Sequence, residues 1–240
     1  MNLLALDTST EFLSLALLLC DSRLGDKTYA HHQHAGQGAS QLVLPQIQAL
    51  LDSANIKLSD LDGIAFGAGP GAFTGVRVAC GVAQGLGYGA NIPVVGVNTL
   101  LAVAQASGEE RVIACLDARM GEIYHAVFER KNGAWIEQSA AQVCKPDAAP
   151  MLTSNWVGVG SGWAVYSEAL CKIYADNLIK TMVEITPSAE AILQLAAPIF
   201  AAGKAESASE AAPIYVRNRV ALTTLERAAG QRLWGLVANS

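Results

Sequence analysis

The sequence predicts an α/β chain of two duplicated lobes. Two observations carry that expectation. The run Leu3–Leu6 ends at Asp7, passes through Thr8, Ser9 and Thr10, and resumes as an apolar run from Phe12. The same unit returns over Val112–Phe128, where Ile113–Leu116 leads into Asp117, a turn through Gly121, and a return strand from Ile123. A strand ending in aspartate, then a turn and a second strand, placed once in each half, is the mark of an internal repeat. The expected division is an N-terminal lobe over 1–105, a C-terminal lobe over 106–216, and a partly mobile tail over 217–240.

After the first unit, Ser40–Ala54 places Val43, Ile47, Leu50, Leu51 and Ala54 at helical spacing. Pro45 suits only the first turn of such a helix, where its missing N–H is not needed. Gly63–Phe66 reads as a strand, followed by the glycine-rich loop Gly67–Phe73. Thr74 is the expected N-cap of a helix reaching about Tyr88. Ile92–Val97 reads as a buried strand and Thr99–Gln105 as a helix start. In the second half, Trp156–Trp163 reads as a strand entering a loop. Ser188–Ala202 reads as a helix capped by Ser188, with Ile192, Leu195, Ala196 and Ile199 on one face and Pro198 kinking or ending it. Gly203–Ala212 is small and polar, a surface connection.

Composition narrows the function. Of 240 residues, 52% are hydrophobic and 15% charged, with a net charge of −5. That balance provides no basic footprint for autonomous nucleic-acid binding. No run is long enough to cross a bilayer, so no membrane partner is expected. The N-terminus lacks the basic region and cleavage site of a signal peptide. Cys20, Cys80, Cys115, Cys144 and Cys171 are scattered, with no CxxC pair, and fit reduced thiols of a cytoplasmic protein.

The loops are poor candidates for chemistry. Gly67–Ala72 matches the GxGxxA form of a dinucleotide fingerprint, but no Asp or Glu follows before Gly108 to hold a ribose. No lysine follows the glycines, which excludes a P-loop. What remains is a glycine turn or a general anion site at a helix N-terminus. His31, His32 and His34 lack metal-ligand spacing and read as an exposed polar loop. His125, on an apolar strand, reads as a satisfied core histidine, and no triad signature is present. No metal site is expected.

One stretch stands apart. From Gly63 to Gly108 the only charged residue is Arg77. The helix within it sets Gly81, Gly85 and Gly89 four apart, and each glycine costs a helix about 1 kcal/mol relative to alanine. Close approach of another backbone would offset that cost, either the protein's own sheet or another subunit. The second reading takes Val43, Ile47, Leu50, Arg77, Val78, Gly81, Gly85 and Gly89 as a partner interface.

The turns after Asp7 and Asp117 resemble those with which actin-like ATPases approach phosphates from both sides of a cleft. Here Ala118, Arg119 and Met120 crowd the second turn, so the cleft reads as degenerate. Its expected anion-binding remnants are Asp7, Thr8, Ser9, Thr10, Gly69, Gly71, Thr74 and Asp117.

Four blocks taken together, Ala5–Thr10, Gly69–Arg77, Asp117–Tyr124 and Pro213–Arg217, resemble the bacterial TsaB (YeaZ) family in order and spacing along nearly the whole chain. The resemblance implies an actin-like ATPase (ribonuclease H-like) fold and a non-catalytic paralogue of the subunit TsaD. With the ATPase TsaE, such a protein would support threonylcarbamoyl transfer to adenosine-37 of tRNA. It implies a TsaD-like catalytic subunit and a TsaE-like ATPase as partners, tRNA reached only through the complex, and a homodimer when alone. No bound cofactor is implied beyond a nucleotide between subunits. The histidine metal motif of TsaD has no counterpart, since Ala35 and Gly36 stand four after His31 and His32. Ala39, Ala68 and Ala72 replace a histidine, a basic residue and a serine common in the family. The alternatives are a metallopeptidase related to the family and an autonomous actin-like ATPase.

Overall fold

A computed structural model describes residues 1–20 and 25–216. The tail beyond, expected to be partly mobile, and Arg217 of the last family block lie outside the described residues.

Two five-stranded sheets repeat one plan. In the first, β1 (Asn2–Asp7), β2 (Phe12–Leu19) and β3 (Lys27–His34) form an antiparallel meander, and β4 (Gly63–Gly69) and β5 (Val94–Asn98) add in parallel on the other side of β1. The order is β3-β2-β1-β4-β5. The second sheet uses β6 (Arg111–Arg119), β7 (Glu122–Lys131), β8 (Ala134–Cys144), β9 (Trp156–Val159) and β10 (Leu178–Met182) in the matching order β8-β7-β6-β9-β10. This is the duplicated actin-like architecture expected from the two strand–aspartate units.

The helices complete the repeat unevenly. In the first lobe, α1 (Ala39–Ser53) joins β3 to β4, α2 (Phe73–Ala90) joins β4 to β5, and α3 (Thr99–Ser107) follows β5. In the second, only a short 3-10 turn at Pro146–Ala148 stands where α1 would be. There α4 (Ser161–Val165) and α5 (Ser167–Tyr174) replace α2, and α6 (Ala189–Ala201) follows β10.

The last helix of each lobe covers the other lobe's sheet. Leu100, Val103 and Ala104 of α3 pack with Val112, Ala114 and Leu116 of β6. Ala189, Ile192, Leu193 and Ala196 of α6 pack with Leu3, Ala5, Ala16 and Ala65 of the first sheet. The Ala189 N–H donates to the buried Ser14 hydroxyl on β2 at 2.9 Å, which fixes the helix on the sheet. Gln105 of α3 bonds Gln194 of α6 at 2.6 Å. Separating the lobes would thus uncover two cores at once.

Several local expectations are corrected. Pro45 lies in the second turn of α1, which begins at Ala39; residues 41 and 45 are both exposed, so water can replace the missing bond. Thr74 is not the N-cap of α2: Ala72 holds that position without a side-chain bond, and Thr74 sits exposed in the first turn. His31, His32 and His34 lie on edge strand β3, not in a loop. Helix α6 continues past Pro198 to Ala201, with Pro198 on the exposed face. Ser188 does cap it, accepting from the Ala191 N–H at 3.2 Å.

His125 is fully buried on β7, beside Tyr174. The Tyr174 hydroxyl donates to the Pro150 carbonyl at 2.9 Å, so its oxygen accepts from His125 Nε2–H at 2.9 Å. Nδ1 has no hydrogen-bond partner among the described residues. Burial pulls the imidazole down to about 4. Unfolded chains therefore bind a proton that the folded chain refuses between pH 6.5 and about 4. This group's contribution falls as pH drops through that window, by about 3 kcal/mol at its low end. Urea unfolding at pH 4.5 and 7 is expected to show His125→Gln losing less stability on acidification than the parent chain.

Candidate functional site

The first strand–aspartate turn is sealed. Asp7 ends β1 with 1% exposure, and Thr8 and Ser9 are equally buried. Asp7 Oδ1 accepts from the Ser9 N–H at 2.9 Å and the Ser9 hydroxyl at 2.8 Å. The glycine loop closes over this turn backbone to backbone. The Ala72 N–H donates to Ser9 O at 2.7 Å, and the Thr8 hydroxyl donates to Gly75 O at 2.6 Å. A Cβ at Gly71 would stand 2.5 Å from Ser9 O, and one at Gly75 would overlap Thr8 O. A Cβ at Gly67 would overlap Asp7 Oδ2. These glycines are needed for close approach of the chain to itself. The N–H groups of Ser9 and Ala72 are already taken up by internal acceptors.

Asp7 Oδ2 has no hydrogen-bond partner among the described residues, and burial pushes the carboxyl up to about 7 against the two bonds from Ser9. The second turn is built differently. Arg119, Met120 and Gly121 all have positive φ, which swings the Arg119 side chain back over Asp117. Its guanidinium lies 3.1 Å from Asp117 Oδ2, and its backbone N–H donates to Oδ1 at 2.9 Å. The Tyr166 hydroxyl donates to Oδ1 at 3.2 Å, and the Ser161 hydroxyl accepts from the Asp117 N–H at 3.2 Å. Asp117 is thereby held by its own lobe.

Between the lobes lies a cavity of about 870 Å³. Of the eight expected remnants, it brings together Ser9, Thr10, Gly71 and Asp117. Asp7, Thr8, Gly69 and Thr74 do not line it: the first three are buried, and Thr74 faces solvent. Most of the remaining wall is apolar, including Phe12, Leu116, Met120, Val165 and Ile214.

The expected partner residues divide. Val43, Ile47 and Leu50 are corrected: they lie in the first lobe's core against Leu15, Leu17 and Phe66, because α1 turns its apolar stripe onto its own sheet. Val78 is half-buried against the same core. Gly81, Gly85 and Gly89 face outward, and a Cβ built on any of them meets nothing within 4 Å. The inner face of α2, with Val76, Ala79, Cys80, Ala83 and Gly87, supplies all its buried contacts. Exposed Leu44 of α1 and Tyr88 of α2 belong to the same lobe's surface.

Arg77 is not a bare cation. Its guanidinium carbon lies 3.2 Å from the Phe73 ring centroid and 5.0 Å from that of Tyr215, an arrangement worth about 0.5–1 kcal/mol when exposed. The i, i+4 spacing of Phe73 and Arg77 made that pair readable; nothing near in sequence pointed to Tyr215. The grip of Tyr166 and Ser161 on Asp117 was equally unreadable, lying 49 and 44 residues away.

Asp7 generates a pH dependence opposite to that of His125. Its folded carboxyl keeps a proton between pH 3.8 and about 7 that the unfolded chain releases, so its contribution falls as pH rises through that window. Asp7→Asn removes this fall. In urea titrations, the stability of the variant relative to the parent chain should increase by on the order of 4 kcal/mol from pH 4 to 7.5. A pH-independent difference would mean that Asp7 titrates normally.

A family model described as "TsaD: tRNA N6-adenosine threonylcarbamoyltransferase" matches residues 29–222. The tRNA threonylcarbamoyladenosine biosynthesis protein TsaB of Escherichia coli K12 is 38% identical over 231 residues, covering 92% of this chain and 96% of that protein. The protein of the same name in Haemophilus influenzae is 39% identical over 234 residues, covering 92% and 95%. The solved structure of YeaZ from Pseudomonas aeruginosa is 37% identical, with a TM-score of 0.77, and covers 89% of this chain and 99% of that one. A second Pseudomonas aeruginosa structure, titled as similar to peptidase YeaZ, has a TM-score of 0.81 at 38% identity and covers 90% and 99%. With identity at this level along most of both chains, and the same fold, the protein belongs to the TsaB (YeaZ) family.

Proposed function

We propose that this protein acts in tRNA threonylcarbamoyladenosine synthesis as a non-catalytic subunit that binds and activates a TsaD-like catalytic subunit. A TsaE-like ATPase completes the assembly, and tRNA is reached only through it, in keeping with a net charge of −5. The site of action is the cytoplasm; no helix among the described residues is long and apolar enough to cross a membrane.

The observation that carries this reading is the outward stripe Gly81, Gly85 and Gly89 on α2. Helical glycines with nothing above them lower the stability of the isolated chain and gain nothing from its own packing. A facing helix can approach such a surface closely, with Val78 and Tyr88 of the same helix supplying apolar area around it. The same face serves a second copy when the catalytic partner is absent. Catalysis by this chain alone finds less support. The two strand-end carboxylates that would serve such chemistry are both engaged: Asp7 is sealed and Asp117 is paired with Arg119.

Gly85 supplies the test, because its substitution separates folding from binding. Gly85→Ala is expected to raise stability by about 0.5–1 kcal/mol through helix propensity. Gly85→Leu should fold equally well and weaken binding to the organism's TsaD homologue at least tenfold by calorimetry. Equal affinities would remove the α2 face from the interface. Threonylcarbamoyladenosine formation by the TsaD and TsaE homologues without this chain would remove the subunit role itself.

A further inference from the structure

We propose that Arg77 is the charged anchor of the partner-binding face, and that its counterpart is a carboxylate on the TsaD-like catalytic subunit. This rests on the subunit role above and names the chemistry which that role requires of the partner. Phe73, Arg77, Gly81, Gly85 and Gly89 follow one another four apart along α2, so they form a single ridge, and all five are exposed. A partner laid along the glycines therefore meets Arg77 one turn further on.

Arg77 is the only charged residue from Gly63 to Gly108, so no acid of that segment can neutralise it. Arg111 and Arg119 are paired with Glu129 and Asp117, whereas Arg77 makes no ion pair among the described residues. Its Nη1 donates to Phe73 O at 3.3 Å, a long bond. Two rings hold the side chain in place: its guanidinium carbon lies 3.2 Å from the Phe73 centroid and 5.0 Å from that of Tyr215. Rings attract the cation but leave most of its N–H donors without a strong acceptor. Held in this way, the side chain loses less rotamer freedom when a partner engages it. A partner surface laid over Arg77 strips away its water. An unpaired cation desolvated at an interface is costly, whereas a facing carboxylate accepts two parallel N–H bonds and offsets that cost. The small and apolar residues around Arg77 on α2 cannot do so, and the face thereby selects an Asp or Glu of the partner.

Calorimetric titration with the organism's TsaD homologue should compare the full parent chain with Arg77→Gln, Arg77→Glu and Gly85→Leu. Because Arg77 is exposed, urea midpoints of its two variants should stay near that of the parent. Arg77→Gln is expected to weaken binding about thirtyfold, and Arg77→Glu about tenfold further, since it sets like charges against each other. A merely structural role, through the contact with Phe73 and Tyr215, would weaken both variants equally, and that equality would overturn the facing carboxylate. Parent-like binding by Arg77→Gln together with weak binding by Gly85→Leu would overturn the proposal and leave the subunit role standing. Parent-like binding by all three variants would overturn the proposal and the α2 face with it.

Discussion

The structure depends on one close approach, the seating of the glycine loop and the first turn of α2 on the turn Thr8–Ser9. Two hydrogen bonds hold it, Ala72 N–H to Ser9 O and Thr8 hydroxyl to Gly75 O, and no side chain fits between the strands of backbone at Gly71 or Gly75. That seat covers Asp7, and the desolvated carboxyl keeps its proton to about pH 7. It also sets the rotation of α2 about its axis. With Val76, Ala79, Ala83 and Gly87 turned to the sheet, the stripe of Gly81, Gly85 and Gly89 has no direction left but outward.

In the second lobe a glycine-rich loop also meets the strand end: a Cβ at Gly160 would stand 2.5 Å from Cys115 O, and the Ser161 hydroxyl accepts from the Asp117 N–H. That loop leaves Asp117 on the wall of the cleft, and the turn after it takes left-handed conformations at Arg119, Met120 and Gly121. The arginine supplies intramolecularly the positive charge that a bound cation would bring. The same kind of turn is thus buried in one lobe and internally paired in the other, and the cleft between them is largely apolar.

The lobes themselves are held by the exchange of α3 and α6. Each helix fills the core of the sheet it does not follow in sequence, with Ser14 and Gln194 supplying polar fixation. The buried His125 and Asp7 then impose opposite slopes on stability between pH 4 and 6.5, one falling with acid and the other with base. Their opposition flattens the dependence for the whole chain.

Sequence alone determined the repeat, most of the strands, the Ser188 cap, the resemblance to TsaB proteins and the glycine stripe, because each is written in neighbouring residues or in a period. It did not reveal β8, whose alternation is weakened by pairing irregularities against β7 and by exposed residues on both faces. It misplaced His31, His32 and His34, since an edge strand needs no apolar run to be held by its one neighbour. Tertiary structure decided which surface each apolar face meets. Period assigns Val43, Ile47 and Leu50 to one side of a helix but not to a sheet or a partner; packing put them inside. The fate of Asp7 and Asp117 was decided the same way, by what lies over them from distant parts of the chain.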